Sequence, residues 1–275
     1  MNQAISHATR PLPTQPLIAA AVLHELLSGE GSELTPYVEI DPSLTAAVLQ
    51  AANAPHLRQS RRVATVRQAM VVLGTTSVEA IATSRTAALV LGPGDIGCPN
   101  GFWVRSVAAA AASSSIAQRL GTNVEEAFTA GILHDIGDLM LFRLDHELHE
   151  VCTARLGTSG RTILEQERVL FGRTHTDVAA DRLEEWLFPD RIARAVRWHH
   201  AAPEALTESL ARVVWAGVRL GAIVCGIPFG GGATELSRPD AILKVIGLGA
   251  EDPNDVLADA ERQVQNVLAV AGREP

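Results

Sequence analysis

Aromatic side chains are scarce in this sequence, and the scarcity limits the kind of core that the chain can build. Phe, Trp and Tyr together make up 4% of its 275 residues. The core must therefore come mostly from Ala, Leu, Val and Ile, which suits close contact between helices. Few segments alternate apolar and polar residues with a period of two, and no repeat of fixed period is present. These absences predict an all-helical fold.

Cysteines and long apolar runs are also few. The three cysteines are far apart and odd in number, with no CxxC pair (Cys98, Cys152 and Cys225). They predict no disulfide framework, as is usual in a reducing compartment. No window of about 20 apolar residues exists, so no membrane span is expected. The stretch 17–23 runs directly into His24 and Glu25, which favours a helix over a signal peptide. We therefore expect a cytoplasmic protein that binds no membrane.

The charge balance is acidic, with a formal net charge of −8 at pH 7. A nonspecific nucleic-acid binder needs a basic surface, so no nucleic-acid partner is expected. One basic run departs from this balance; it comprises Arg58, Arg61, Arg62 and Arg67. Such a run is most often a solvated loop, but it is also a candidate site for an anion or a partner.

Start and stop signals predict a series of helices. Residues 1–16 contain three prolines and resemble a loose tail, and a helix follows from Pro16 to about Ser28. Asp41 is suited to cap a helix whose first turn contains Pro42, and Gly74 is a stop signal. Further helices are expected at 66–73, 77–91, 102–120, 124–141, 161–171, 176–187, 190–200, 206–225 and 255–271.

The Gly/Pro-rich segment at 92–101 predicts a boundary between two helical subdomains, at 1–95 and 96–275. It contains a GxGxxG pattern at Gly92, Gly94 and Gly97. A dinucleotide fingerprint requires a preceding strand and no proline in the turn, whereas here a helix precedes the segment and Pro93 lies inside it. A linker is the better interpretation. Gly230–Gly232, with no Lys–Ser/Thr pair after it, is likewise interpreted as a flexible loop.

Five polar residues are candidates for chemistry. His134 and Asp135 are adjacent inside a predicted helix, and His175, His199 and His200 lie near the ends of two others. Imidazole nitrogen and carboxylate oxygen suit Fe, Mn, Zn or Co, and converging helices of a bundle often supply such ligands. Each of these residues also has an ordinary structural explanation, such as satisfying helix-end carbonyls. The histidines at 7, 24, 56, 146 and 149 form no pattern and are interpreted as surface or core residues.

Several ordered motifs resemble the HD superfamily of metal-dependent phosphohydrolases and, over roughly residues 12–225, its HDOD (HD-related output domain) branch. The segment EIDPSLTAAVLQAANAP is similar to the family's DPxLxxxxLxxAN, and VRQAMVVLG to its AIxxLG. In the second half, AFTAGILHDIGDLML is similar to AGLLHDIGKLxL. The segment GRTHTDVAADRLEEWLFPDRIARAVRWHH is similar to the histidine-containing segment that ends in HH.

The resemblance implies a C-terminal HD-like bundle in which His134, Asp135, His175, His199 and His200 match metal-ligand positions. Three positions depart from the catalytic pattern. Arg105 stands where a further histidine ligand is expected, and Gly217–Val218 stands where a final aspartate is expected. Asp138 replaces a lysine of the relatives that carry a GYP motif. Because Arg105 adds positive charge beside the site, we expect weak metal binding and an ion pair between Arg105 and Asp135.

The resemblance therefore predicts a noncatalytic bacterial signalling or output module, a pseudo-enzyme that binds a partner protein or small ligand. No cofactor is expected, other than residual binding of a divalent metal (Fe, Mn, Zn or Co). One alternative is a metal-dependent phosphohydrolase acting on a nucleotide or cyclic dinucleotide, with a metal-bound water as nucleophile. Another is a non-cleaving nucleotide sensor, in which the Arg58–Arg67 run and Arg105 hold phosphates.

Overall fold

The computed structural model describes residues 12–28, 33–57, 59–91, 97–156, 162–226 and 238–271. These residues form an all-α fold with no strand among them, which confirms the predicted fold class. The helices are α1 (Pro16–Ser28), α2 (Thr35–Glu39), α3 (Pro42–Ala52), α4 (Val66–Leu73), α5 (Thr75–Leu91), α6 (Phe102–Arg119), α7 (Val124–Leu133), α8 (Ile136–Leu144), α9 (His146–Ala154), α10 (Ile163–Leu170), α11 (His175–Glu185), α12 (Asp190–Arg197), α13 (Ser209–Cys225), α14 (Pro239–Val245) and α15 (Pro253–Ala271).

Two residues at the start of α3 have two roles. They begin that helix as the sequence predicts, and they also form hydrogen bonds with the segment that precedes α1. The Asp41 carboxylate accepts hydrogen bonds from the amides of Ser43 and Leu44, as the sequence predicts for an N-cap. It also accepts one from the amide of Gln15, at 2.8 Å. The hydroxyl of Ser43 donates to the Pro13 carbonyl at 2.6 Å. The predicted loose tail is therefore wrong for residues 12–15, because polar contacts to α3 hold them; residues 1–11 lie outside the described part.

Helix α6 lies at the centre of the C-terminal half and packs against α7, α13 and α15. Its middle is a run of Ala and Ser, and small residues on its partners allow the backbones to approach closely. A methyl group added at Gly131 of α7 would lie 2.6 Å from Ala110 Cα. One added at Gly221 of α13 would lie 2.7 Å from the carbonyl carbon of Ala108. The scarcity of aromatics thus corresponds to a core of closely packed helix backbones.

Two predicted helices need correction. The segment predicted as one helix at 124–141 is two helices, because the amide of His134 bonds to the Gly131 carbonyl three residues back and the regular pattern stops. The helix predicted at 190–200 ends at Arg197, so the two histidines after Trp198 follow the helix instead of ending it. Helices α2, α9 and α14 were not predicted.

The predicted boundary between subdomains stays a prediction. Residues 92–96 lie outside the described part, as do Gly230–Gly232, while Gly97 and Gly101 have positive φ angles before α6 begins. Buried apolar side chains form a contiguous cluster that extends from Ile18 to Ala260. No helix in the described ranges is long and apolar enough to cross a bilayer.

Candidate functional site

A cleft opens between α6, α8, α9, α11 and α13. One end carries the charged and imidazole side chains, and the rest is mostly apolar. The lining residues are Arg105, His134, Asp135, Asp138, Thr153, Leu156, Ile163, His175, His200, Val218, Gly221, Ala222 and Cys225. The structure thus gathers four of the five predicted metal-ligand candidates and Arg105 around one space, and His199 lies directly behind them.

The break between α7 and α8 and a glycine after it bring the polar residues together. His134 and Asp135 lie at the break, and both are buried. Two residues later, Gly137 faces the start of α11. A methyl group added there would lie 1.9 Å from the carbonyl oxygen of His175. Only a residue without Cβ allows α8 and α11 to approach this closely, and the approach places His175 beside Asp135.

Three histidines have their Nδ1 atoms fixed by oxygen acceptors. Nδ1 of His134 donates to the Gly131 carbonyl at 2.7 Å, and Nδ1 of His199 donates to the Val196 carbonyl at 2.6 Å. Nδ1 of His175 donates to the Glu167 carboxylate at 2.8 Å. An imidazole whose Nδ1 carries the proton presents Nε2 as its acceptor, and metal-binding histidines are typically oriented in this way.

The three Nε2 atoms converge on the Asp135 carboxylate. Nε2 of His134 lies 3.6 Å from Oδ2, while Nε2 of His175 and of His199 lie 3.6 and 3.9 Å from Oδ1. Ligand atoms of His134, Asp135 and His199 lie within 4.8 Å of one another, as do those of His175, His199 and His200. We call these five residues the histidine side. Nitrogen donors with a carboxylate fit a transition-metal ion, so the residues present fit the metal that the HD superfamily implies.

Burial and neighbouring charges determine the protonation of this side. Burial lowers the pKa of His134, and it holds those of His199 and His200 well below their usual range. Burial acts in the same direction on His175, but the Glu167 carboxylate overcomes it and raises the pKa to about 9. At neutral pH, therefore, His175 is an imidazolium whose Nε2 lies 3.3 Å from Nε2 of His199. That proton must leave before a metal binds to His175.

Arg105, Asp138 and His149, which we call the arginine side, occupy the opposite part of the polar end. The guanidinium donates from Nε to Asp135 Oδ2 at 3.1 Å and from Nη2 to Asp138 Oδ2 at 2.9 Å. Its Nη1 donates to the Asn100 carbonyl at 2.8 Å. Nε2 of His149 lies 2.6 Å from Asp138 Oδ1. The predicted ion pair between Arg105 and Asp135 is therefore present, and a second carboxylate joins it.

The charges of this cluster stabilise each other. Burial alone would lower the pKa of Arg105, but the carboxylates of Asp135 and Asp138 raise it above its ordinary value. Burial alone would raise the pKa of Asp135, and the adjacent His134 and Arg105 hold it well below the usual range. Asp135 thus remains a carboxylate shared by the two sides.

The position expected for the closing aspartate holds no side-chain donor. Val218 lines the cleft, and Gly217 faces Ser113 of α6 at backbone distance. The next residue, Arg219, donates to the carbonyls of His199 and Trp215 and stacks over the Trp215 ring at 3.9 Å. This arginine holds the backbone of the histidine side from behind.

The sequence did not indicate the contacts of three residues of the site. It also suggested a group of arginines as a binding site, and the structure places the described members of that group elsewhere. Glu167 orients His175 across the turn between α10 and α11, and Asp138 and His149 complete the arginine side. No motif marked them as a group. Conversely, Arg61 and Arg62 are exposed, and Arg67 pairs with Glu39 and Glu125 on the surface. None of these three lines the cleft, and Arg58 lies outside the described residues.

Comparisons with known proteins agree with this architecture. The model of the HDOD domain matches residues 12–202. A response regulator, MmoQ from Methylococcus capsulatus strain Bath, is 26% identical with a TM-score of 0.75, covering 90% of this chain and 98% of that one. A virulence factor from Campylobacter jejuni is 17% identical with a TM-score of 0.71, covering 97% and 100%. At that identity the likeness shows the fold alone. No curated protein matches the sequence.

Proposed function

This chain belongs to the HDOD family, and we propose that it is a noncatalytic regulatory module of a bacterial signalling system. In this proposal it binds a partner protein or a small ligand in the cleft and does not hydrolyse it. The similarity to a protein named as a response regulator supports the signalling role. A cleft with a mostly apolar wall and a few convergent polar groups is the usual form of a binding site.

The observation that carries the proposal is the position of the Arg105 guanidinium. It binds Asp135 Oδ2 and Asp138 Oδ2, so part of the donor set that a hydrolytic metal would use is already engaged by a cation of the chain. The opposite wall supplies Val218 where a further ligand is expected. A metal-activated water requires an ion with open coordination and oriented ligands. In the described part of this cleft, only the histidine side presents several oriented imidazole donors for such an ion.

The absence of turnover is tested with purified protein and added Mn²⁺, using cyclic di-GMP and bis-p-nitrophenyl phosphate as phosphodiester probes. We expect product formation equal to that of the Asp135→Ala variant and of the metal alone. Turnover that exceeds both controls and disappears in the Asp135→Ala variant would contradict the noncatalytic proposal.

The binding role is tested by site-specific photo-crosslinking in cells. A photoreactive residue at Leu156, which lines the cleft, is compared with one at Val71, an exposed position on α4 that does not line it. We expect a discrete crosslinked product from position 156 and none from position 71. Equal patterns from the two positions, or no product at position 156 in any growth condition, would count against the cleft as the binding surface.

A second candidate, metal-dependent phosphodiester hydrolysis, is favoured by the three Nε2 atoms that converge on Asp135. His134, Asp135, His175 and His199 would hold the ion, which would acidify water and polarise a phosphoryl oxygen. Metal analysis of chelator-free protein by mass spectrometry, with His134→Ala as control, tests the ion itself. Near-stoichiometric metal that is lost in the variant supports retention of the ion, and the turnover assay then separates binding from catalysis.

The nucleotide-sensor alternative has less support from the geometry. Among the described arginines that were considered for phosphate contacts (Arg61, Arg62, Arg67 and Arg105), only Arg105 lines the cleft, and its guanidinium already pairs with two carboxylates.

A further inference from the structure

We propose that Trp215 and Arg219 of α13 are positioning residues that hold His199 and His200 at the cleft. Neither of the two α13 side chains is among the residues that line the cleft, and both act through the backbone of residues 198–201. This inference goes beyond the proposed function, because it concerns what fixes the two histidines and holds for any ligand of the cleft.

The first argument is that two side chains of one helix bind the backbone on both sides of His200. Trp215 donates from Nε1 to the Ala201 carbonyl at 2.9 Å. Arg219 donates from Nη1 to the His199 carbonyl at 2.9 Å. The two side chains are four residues apart, so they project from the same face of α13. The carbonyl before His200 and the carbonyl after it are thus bound to a single support.

The second argument is that the helix before the histidines does not hold them by itself. Helix α12 ends at Arg197, so both histidines lie beyond its regular hydrogen bonds. His199 is nonetheless fully buried, and Nδ1 of its ring donates to the Val196 carbonyl at 2.6 Å. That bond requires one orientation of the ring relative to α12. The orientation depends on the backbone at position 199, which Arg219 holds.

The third argument is that Trp215 and Arg219 are themselves fixed. The guanidinium lies over the Trp215 ring at 3.9 Å and also donates to the Trp215 carbonyl at 3.0 Å. Both side chains are buried. Between them, Gly217 holds α13 close to α6, because a methyl group added there would lie 2.8 Å from Ser113 Cα. The position of the pair therefore follows the position of α13.

Helix α13 also forms part of the apolar wall of the cleft. Val218, Ala222 and Cys225 of this helix line the cleft. A ligand that packs against this wall would therefore contact the same helix that positions His199 and His200. Substitution of the positioning pair should change the imidazole end of the cleft without altering any residue that lines it.

The test determines the tautomer of the histidine rings in the metal-free full chain at neutral pH, by long-range ¹H–¹⁵N NMR with ¹⁵N-labelled histidine. In the wild type we expect the Nδ1–H form for His134 and His199, because Nδ1 of each ring donates to a carbonyl. Arg219→Met and Trp215→Phe each remove the donors and keep an apolar side chain. Each variant should lose the Nδ1–H signature of His199 and keep that of His134. A general loss of stability would not select one ring.

Two control variants remove the same kinds of donor elsewhere. Trp103→Phe removes an indole that donates to the Ile40 carbonyl at 3.0 Å. Arg212→Met removes a guanidinium of α13 itself, which donates to the Leu206 carbonyl at 2.8 Å. Both controls should keep the wild-type tautomer of His199. Loss of that tautomer in the controls as well would overturn the proposal.

An unchanged His199 ring in both test variants would also overturn the proposal, as would equal changes of His134 and His199. If the test variants do not fold, hydrogen exchange of the wild-type Ala201 amide decides. This amide donates to the Trp198 carbonyl at 2.9 Å. Exchange as slow as that of the central α13 amides supports a backbone held by that helix, and exchange at the rate of an exposed loop overturns it. None of these outcomes depends on turnover, on a metal or on a partner.

Discussion

The two sides of the cleft contain similar kinds of residue but are organised differently. On the histidine side, Nδ1 atoms are fixed by oxygen acceptors and Nε2 atoms point inward, while the charge that would fill the centre must come from a proton or an ion. On the arginine side, the chain supplies its own cation. In this chain the HD pair is retained while an arginine of the chain pairs with its aspartate. A chain that keeps the HD pair can still place the side chain of an arginine in the space beside it.

Asp135 connects the two sides, since its Oδ1 faces His175 and His199 while its Oδ2 pairs with Arg105. Two unit charges about 4 Å apart interact by roughly 4 kcal/mol at an effective dielectric constant near 20. A change of charge on one side therefore changes the electrostatic energy of the charged groups on the other side. The predictions that follow test the common support of the two sides first and then each side by itself.

The largest effect is expected from Gly137→Ala, at the contact between α8 and α11 that supports both sides. The new methyl group would lie 1.9 Å from the His175 carbonyl oxygen, which is backbone and has little freedom to move. We expect the free energy of unfolding to fall by roughly 3 kcal/mol or more, measured by urea denaturation. Gly249→Ala is the control, because its nearest neighbour is at 3.3 Å; a loss equal to that control would contradict this account.

The histidine side predicts a pH dependence of stability. The pKa of His175 is about 9 in the folded chain, above the ordinary value of 6.5, because of the Glu167 carboxylate. The contribution of the His175–Glu167 pair to the free energy of unfolding is thus fully present below pH 6.5 and is lost as the pH rises through 9. The shift corresponds to a loss on the order of 3 kcal/mol, at about 1.4 kcal/mol per pKa unit.

The matched variant for this prediction is Glu167→Gln, studied by urea denaturation in metal-free buffer across the same pH range. Removing the carboxylate removes the cause of the raised pKa, so the variant should lose most stability near pH 6 and approach the wild type near pH 9.5. A wild-type curve as flat as that of the variant would show that this pair does not control protonation.

A smaller effect is expected on the arginine side from His149→Ala. The change removes the partner of Asp138 Oδ1 and leaves a space beside Phe142, whose ring centroid lies 5.3 Å from that of His149. We expect a loss of about 2 kcal/mol, measured as a shift in the urea midpoint. His146→Ala, an exposed position on the same helix, should stay within about 0.5 kcal/mol of the wild type. Similar losses in the two variants would indicate that the Asp138 contact contributes little.

The sequence predicts those parts of this structure that depend on local chemistry or on ordered motifs. The Asp41 cap, the stop at Gly74 and the gathering of His134, His175 and His199 are of this kind, and so is the pairing of Arg105 with Asp135. The break after α7 was missed, because it depends on the His134 amide and ring sharing the Gly131 carbonyl. Helix α9, with a high density of polar residues, gave no strong apolar spacing.

The remaining site residues depend on packing between helices that are distant in sequence. His149 reaches Asp138 only because α9 folds back against α8, and Glu167 reaches His175 across a turn. Neither distance follows from spacing along the chain. The charge network around Arg105 therefore required the structure, although its first pair was predictable.

The close backbone packing of α6 has a consequence for local opening. Amide hydrogens exchange with solvent slowly where a segment cannot separate from its neighbours without breaking many contacts at once. Small residues hold α6 against α7 and α13, so its central amides, from about Val107 to Ile116, should exchange among the slowest in the described part of the chain. Arg105 lies on the same helix, just before that segment. The Arg105 guanidinium is thus attached to a part of the molecule that we expect to open slowly, which keeps its position in the cleft constant.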